Sequence, residues 1–163
     1  MELGFDERGN LKPYKINEIS LIEFEATFVN QFISQSNRNE LFRNYRNYLK
    51  DFQNVLKKDF FQWIDGSFIT QKVNPKDIDF ISFIHFEDYE ESKEVIEQKF
   101  SPQKARELYQ VDAYVVPIFP ETHPMHFCFQ SDKAYWENLF GRTRINRAKK
   151  RFEKGIIQIN FDK

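Results

Sequence analysis

Between Ser20 and Ser34 the apolar positions recur at helical spacing. Leu21, Phe24, Phe28 and Phe32 form one stripe, which predicts an amphipathic helix ending near Ser34. Ser20 reads as its N-cap, and Glu23 three residues on completes a capping box. A second helix is predicted from about Arg38 to Lys57, where Leu41, Tyr45, Tyr48, Leu49, Phe52 and Leu56 share a face. Phe60 to Ile64 then reads as a first strand, D-I-D-F-I-S-F as a second, Val111 to Phe119 as a third, and Gly155 to Phe161 as the last. Of the segments between, F-I-T-Q-K-V-N-P is short and β-rich, a loop or short strand. E-D-Y-E-E-S-K-E is a solvated charged run leading into a helix around Ser92 to Phe100. Ser101 and Pro102 open another helix, with proline at the first helical position. Met125 to Gln130 alternates weakly and adds an edge strand, after which Asp132 caps a helix to about Phe140. Residues 1–19 read as an irregular arm, with a turn at Gly9 and a break at Pro13. The fold class expected is α/β in the broad (α+β) sense, a mixed sheet flanked by helices.

A chain of 163 residues is one domain by length, and long enough to bury roughly two-thirds of the surface that its unfolded form exposes. Residues 1–163 are therefore read as a single domain. Nineteen Phe, seven Tyr and two Trp against five Gly indicate a core of aromatic bulk. The net charge of −1 excludes whole-protein attraction to nucleic acid, so any such attraction must be local. It has a candidate source in the basic loop at residues 142–154, R-T-R-I-N-R-A-K-K-R-F-E-K, with seven basic residues and one acid. Two readings stand for it: a solvated mobile loop, or an anion clamp for a triphosphate or an RNA. The lone cysteine, Cys128, excludes an internal disulfide and fits a reducing cytosol. With neither a basic, apolar start nor a bilayer-length apolar run, a cytoplasmic protein without membrane association is expected.

The chemistry concentrates between Ile64 and Phe83. On a strand, side chains at i and i+2 point the same way, so Asp77 and Asp79 project together, with Ile78, Phe80, Phe83 and Ile84 as the apolar wall behind them. Two adjacent carboxylates raise each other's pKa unless a cation sits between them, and Mg²⁺ (or Mn²⁺) favours such all-oxygen sites. Gly66 lets the backbone approach an anion, and Ser67 offers it an N–H and a hydroxyl. Lys72 and Lys76 flank the same loop, where lysines are ordinarily solvated. Taken singly, a D-x-D on a strand is ordinarily a solvent-facing pair and a G-S merely a turn; the combination is what points to a site. H-P-M-H-F-C offers His123, His126 and Cys128 as zinc ligands, but the spacing is poor for a closed site and no fourth ligand lies nearby.

G-S, nine residues, then D-I-D-F resembles the signature of the polymerase-β-type nucleotidyltransferase superfamily, particularly its minimal bacterial members. F-D-E-R-G-N-L-K-P, D-G-S-F-I-T-Q-K, Y-W-E-N-L-F-G-R and K-G-I-I-Q-I are also similar to an uncharacterised bacterial family of that type. The resemblance implies a nucleotidyltransferase-like sheet. Asp77 and Asp79 would hold the metals, with Asp112 in V-D-A-Y-V-V-P-I as the third carboxylate and aid to deprotonation. Gly66, Ser67 and Lys72 would bind the nucleotide. The implied activity moves a nucleoside monophosphate from a nucleoside triphosphate to a hydroxyl of a protein or RNA acceptor. Its setting would be a toxin–antitoxin or phage-defence system with a cognate toxin or antitoxin as partner. The alternative is a silent module of the same fold acting as antitoxin or nucleotide sensor. Asp65 stands where the superfamily generally has an apolar residue, and reads as an extra ligand or a turn-capping acid.

Overall fold

The computed structural model describes residues 3–163. In chain order it contains β1 (Gly4–Phe5), β2 (Leu11–Lys12), β3 (Ile16–Glu18), α1 (Leu21–Glu25), α2 (Arg38–Val55), β4 (Phe60–Asp65), β5 (Asp79–His85), α3 (Phe86–Val95), α4 (Pro102–Tyr109), β6 (Asp112–Ile118), α5 (His126–Phe140) and β7 (Ile156–Phe161). β1 and β2 form a small antiparallel hairpin. The other strands make one mixed sheet in the order β3-β7-β4-β5-β6, in which β3/β7 and β5/β6 are parallel and β7/β4 and β4/β5 antiparallel. The architecture is α+β in a single compact domain. None of the described helices is long and apolar enough to cross a membrane.

The capping box forms as predicted, with Ser20 Oγ accepting from the Glu23 N–H at 3.2 Å and Glu23 Oε2 accepting from the Ser20 N–H at 2.8 Å. The helix then widens into one π-helical turn, Ala26–Asn30, and stops short of Ser34. Phe24 and Phe28 are fully buried against α2, whose apolar face is the one predicted. Rings dominate this side of the sheet: Phe24 stacks on Phe68 with centroids 5.8 Å apart, and Phe80 meets Tyr45 and Tyr48 edge-on. A buried polar chain crosses the same layer, from the Tyr45 hydroxyl to Gln62 Oε1 and from Gln62 Nε2 to Ser82 Oγ. The opposite face buries Trp63, Ile81, Phe83, Val116 and Ile156 beneath Phe140 and Trp136 of α5. Phe83 therefore lies on the acids' face of β5 and not behind it.

Three expectations need correction. Residues 3–19 are not wholly irregular, since they supply β1, β2 and the edge strand β3, where pairing with a distant strand overrides a weak local signal; residues 1 and 2 of the expected arm lie outside the described residues. The charged run is itself helix α3, followed by a π-helical turn, Ile96–Phe100. Its charges face solvent except Asp88, which is buried because it accepts the N–H groups of Lys57 and Lys58 just beyond α2. Met125 to Gln130 is the start of α5 and not an edge strand, and Asp132 lies exposed inside that helix rather than capping it. The short apolar alternation there fits either period, and the helix wins by packing against β6.

One buried cation positions the loop after β4. Arg38, with no exposed surface and no carboxylate among its partners, donates to the carbonyls of Phe28, Phe68, Thr70 and Lys72 at 2.5–3.2 Å. Its guanidinium lies 3.6 Å from the Phe32 ring centroid. Burial lowers its pKa to about 10, so it remains charged near neutrality. Arg38→Met would strand those carbonyls, and we expect a loss of about 3–5 kcal/mol in urea unfolding. Arg38→Lys should recover less than half of it, because a point ammonium cannot reach acceptors spread around a planar fork.

Candidate functional site

The register of the sheet lines up acids. Asp65 on β4 pairs with Asp79 on β5, and Asp79 pairs with Asp112 on β6, so three neighbouring strands carry aspartates in one row on one face. Asp77 lies just ahead of β5 rather than on it, yet shares the side of Asp79. Asp77, Asp79 and Asp112 each offer a carboxylate oxygen, and these oxygens lie within 4.8 Å of one another. All three predicted acids thus converge.

Crowding sets their charge. Burial, then the neighbouring Asp77, Asp112 and Asp65, push Asp79 up to about 7, while Lys154 opposes the rise. Arg106 donates to Asp112 Oδ1 at 3.0 Å. Asp65, at the end of β4, is held in a buried ion pair. It is 6 % exposed, and Lys154, itself 8 % exposed, lies 2.9 Å from its Oδ2 and 2.8 Å from its Oδ1. Burial raises Asp65 to about 6 even so, with Lys154 as the main opposing influence. Lys154 and Arg106 are participants that sequence reasoning missed. The signal available for Lys154 was a lysine just before a buried terminal strand, and for Arg106 nothing beyond a basic residue in the last turn of α4.

Gly66 has a role that its sequence position did not reveal. Its φ is +78°, and a Cβ built there would sit 1.7 Å from Asp79 Oδ2. The absent side chain is the space that the carboxylate occupies. Ser67 begins a 3₁₀ turn, Ser67–Ile69, as the loop reading of this segment required. Its carbonyl accepts from the N–H and hydroxyl of Thr70, and its own hydroxyl has no partner among the described residues. Gly66, Ser67, Lys72 and Lys76 line one side of a cleft of about 990 Å³ that also contains all four aspartates. Tyr114, Tyr135 and Trp136 form another wall, and Arg142 and Arg144 reach in from beyond α5. His123, His126 and Cys128 lie elsewhere: His123 Nδ1 accepts from the Met125 N–H, His126 Nδ1 contacts the Phe119 carbonyl at 2.8 Å, and Cys128 is exposed.

Residues 142–154 turn back on themselves as a hairpin. Arg142 bridges Glu153, the Thr143 N–H donates to the Phe152 carbonyl, and Asn146 closes the tip against Lys149 and Lys150.

Residues 3–160 of this chain match the model of a family described as "Family of unknown function (DUF6932)". The chain belongs to that family. No curated protein and no solved structure matches it.

In this DUF6932 chain the acidic centre fits a divalent cation on its own geometry. The donor set is all oxygen, the oxygens converge, and the glycine pocket keeps Asp79 among them. Two outcomes follow. Folding lifts Asp79 to about 7, so its contribution to stability is full below the ordinary carboxylate range and lost as pH rises through about 7. Asp79→Asn should therefore stabilise the metal-free protein by roughly 2–4 kcal/mol at pH 8, read from Tm, with the gain shrinking towards pH 4. Gly66→Ala should abolish saturable Mn²⁺ binding in calorimetry, because the methyl group and the carboxylate cannot share one space.

Proposed function

We infer that this chain is a divalent-metal-dependent nucleotidyltransferase, moving a nucleoside monophosphate from a nucleoside triphosphate, ATP among them, to an acceptor hydroxyl. The observation that carries this reading is the convergence of Asp77, Asp79 and Asp112 in a cleft whose rim is basic. Acids alone would repel a triphosphate. Here Lys72, Lys76, Arg142 and Arg144, in the same lining, supply the opposite charge that phosphates require. Mg²⁺ or Mn²⁺ on the three carboxylates would stabilise charge on the entering and leaving oxygens of an in-line displacement. Asp112 Oδ2, the oxygen not held by Arg106, is free to take the proton of the acceptor hydroxyl. Gly66 keeps Asp79 in place, and the unpartnered Ser67 hydroxyl is available to a phosphate oxygen. The arrangement agrees with the polymerase-β-type resemblance of G-S and D-I-D-F, and a cytoplasmic setting accords with the single, exposed cysteine.

A second reading has one contact in its favour. Arg106 on Asp112 can stand in for a cation, as a module that senses nucleotide without turning it over would need. Incubation of the protein with each labelled nucleoside triphosphate, Mg²⁺ or Mn²⁺ and cell lysate separates the two. Transfer of label to a protein or RNA, falling by at least about a hundredfold in Asp77→Ala and Asp79→Ala, is the expected result. Undiminished transfer by Asp79→Ala would overturn the assignment, and nucleotide binding with no transfer to any acceptor would favour the sensor.

A further inference from the structure

The hairpin at residues 142–154 has more positive charge than a nucleotide in the cleft can use. Its seven cations and one acid make it +6 on a chain of −1, which leaves −7 for the rest. Arg142 and Arg144 line the cleft, whereas Arg147, Lys149 and Lys150 lie outside its lining and are exposed. None of these cations forms an ion pair with a carboxylate among the described residues. The backbone bonds of Thr143, Asn146 and Phe152, with Arg8 lying over the Phe152 ring at 4.1 Å, hold the hairpin in a defined pose. Exposed cations on one hairpin, two of them in the cleft and three beyond its lining, offer a track for a polyanion.

α5 leads directly into this hairpin and carries aromatic surface into the same cleft. Tyr135 is 60 % exposed and meets Trp136 edge-on with centroids 5.3 Å apart, and Trp136 packs against Tyr114 at 4.8 Å. Tyr114 follows Asp112 by two residues on the same strand face, about 7 Å along β6. Cations for a backbone beside aromatic faces for bases is the combination that grips single-stranded nucleic acid without reading its sequence. The acidic remainder of the protein repels a polyanion everywhere else. An acidic protein segment would satisfy the cations and leave the exposed ring of Tyr135 without a role.

We propose that the acceptor is single-stranded RNA, docked with its phosphates along Arg144, Arg147, Lys149 and Lys150 and its terminal base on Tyr135 and Trp136, so that its end reaches the aspartates. The proposal rests on the nucleotidyl-transfer reading for the purpose of the docking, though not for the binding itself.

The test is fluorescence anisotropy of a labelled twelve-nucleotide RNA across a salt series, with the triple variant R147E/K149E/K150E beside the native chain. We expect log Kd to rise with log salt with a slope of about 3, as for roughly four neutralised phosphates at about 0.7 each. The triple variant should lose at least about tenfold in affinity while keeping the native circular-dichroism spectrum and melting temperature, and Tyr135→Ala should lose about five- to tenfold or more. A milder R147Q/K150Q variant covers the case in which charge reversal perturbs folding, with a loss of about threefold or more expected. A flat salt response, or unchanged affinity in the folded reversal variant, overturns the proposal. So does transfer of nucleotide label to protein and not to RNA, a result that leaves nucleotidyl transfer itself standing. Salt-dependent RNA binding without any transfer would keep the track and overturn the enzymatic reading instead.

Discussion

Like charges brought together at the end of a sheet have to be held there against their own repulsion. The structure does this with three adjacent strands in fixed register, so that Asp65, Asp79 and Asp112 cannot move apart without breaking the β4/β5 and β5/β6 ladders. Behind those ladders lies a layer of fully buried rings, which makes a strand slip costly, because a one-residue shift would turn that entire face outwards. The repulsion is left unrelieved only where it is useful. Lys154 neutralises Asp65 at one end of the row and Arg106 engages Asp112 at the other, while the carboxylate of Asp79 in the middle faces three acids.

Much of this was legible beforehand, for identifiable reasons. Helix periodicity in α2, the Ser20–Glu23 box, the Ser101–Pro102 start and the strands around Ile64, Phe80 and Val115 are local signals, and local packing agreed with them. Asp77 and Asp79 could be named because they lie at strand spacing, and Asp112 because the polymerase-β-type resemblance implied a third carboxylate on a neighbouring strand. Features that depend on distant partners were not legible. β3 exists because β7 offers it hydrogen bonds from the far end of the chain, and α3 is a helix whose charged sequence hides a few inward residues such as Asp88 and Ile96. The Lys154–Asp65 pair joins positions 89 residues apart, and nothing near either one foretells it. Gly66 was singled out for its approach to an anion, and the sequence held no sign that its missing side chain also makes room for Asp79.

The hairpin shows how a charge run can mislead in a quieter way. As sequence it could be a solvated loop or a clamp. As structure it is a hairpin whose last residue, Lys154, leaves the basic series and turns inwards to the acidic row. Its position and the electrostatics of the centre are thereby coupled through a single ion pair.

Arg38 gives the cleft a mechanical asymmetry. By tying the carbonyls of Phe68, Thr70 and Lys72 to that of Phe28, it makes the segment after Gly66 part of the helical layer, a rigid jaw backed by the main core. The facing jaw stands beyond the end of α5, its base closed by the Lys154 N–H on the Gly141 carbonyl and tied to β4 by the Lys154 side chain on Asp65. Any change in the width of the cleft would therefore fall on the hairpin side, against a jaw that Arg38 holds still.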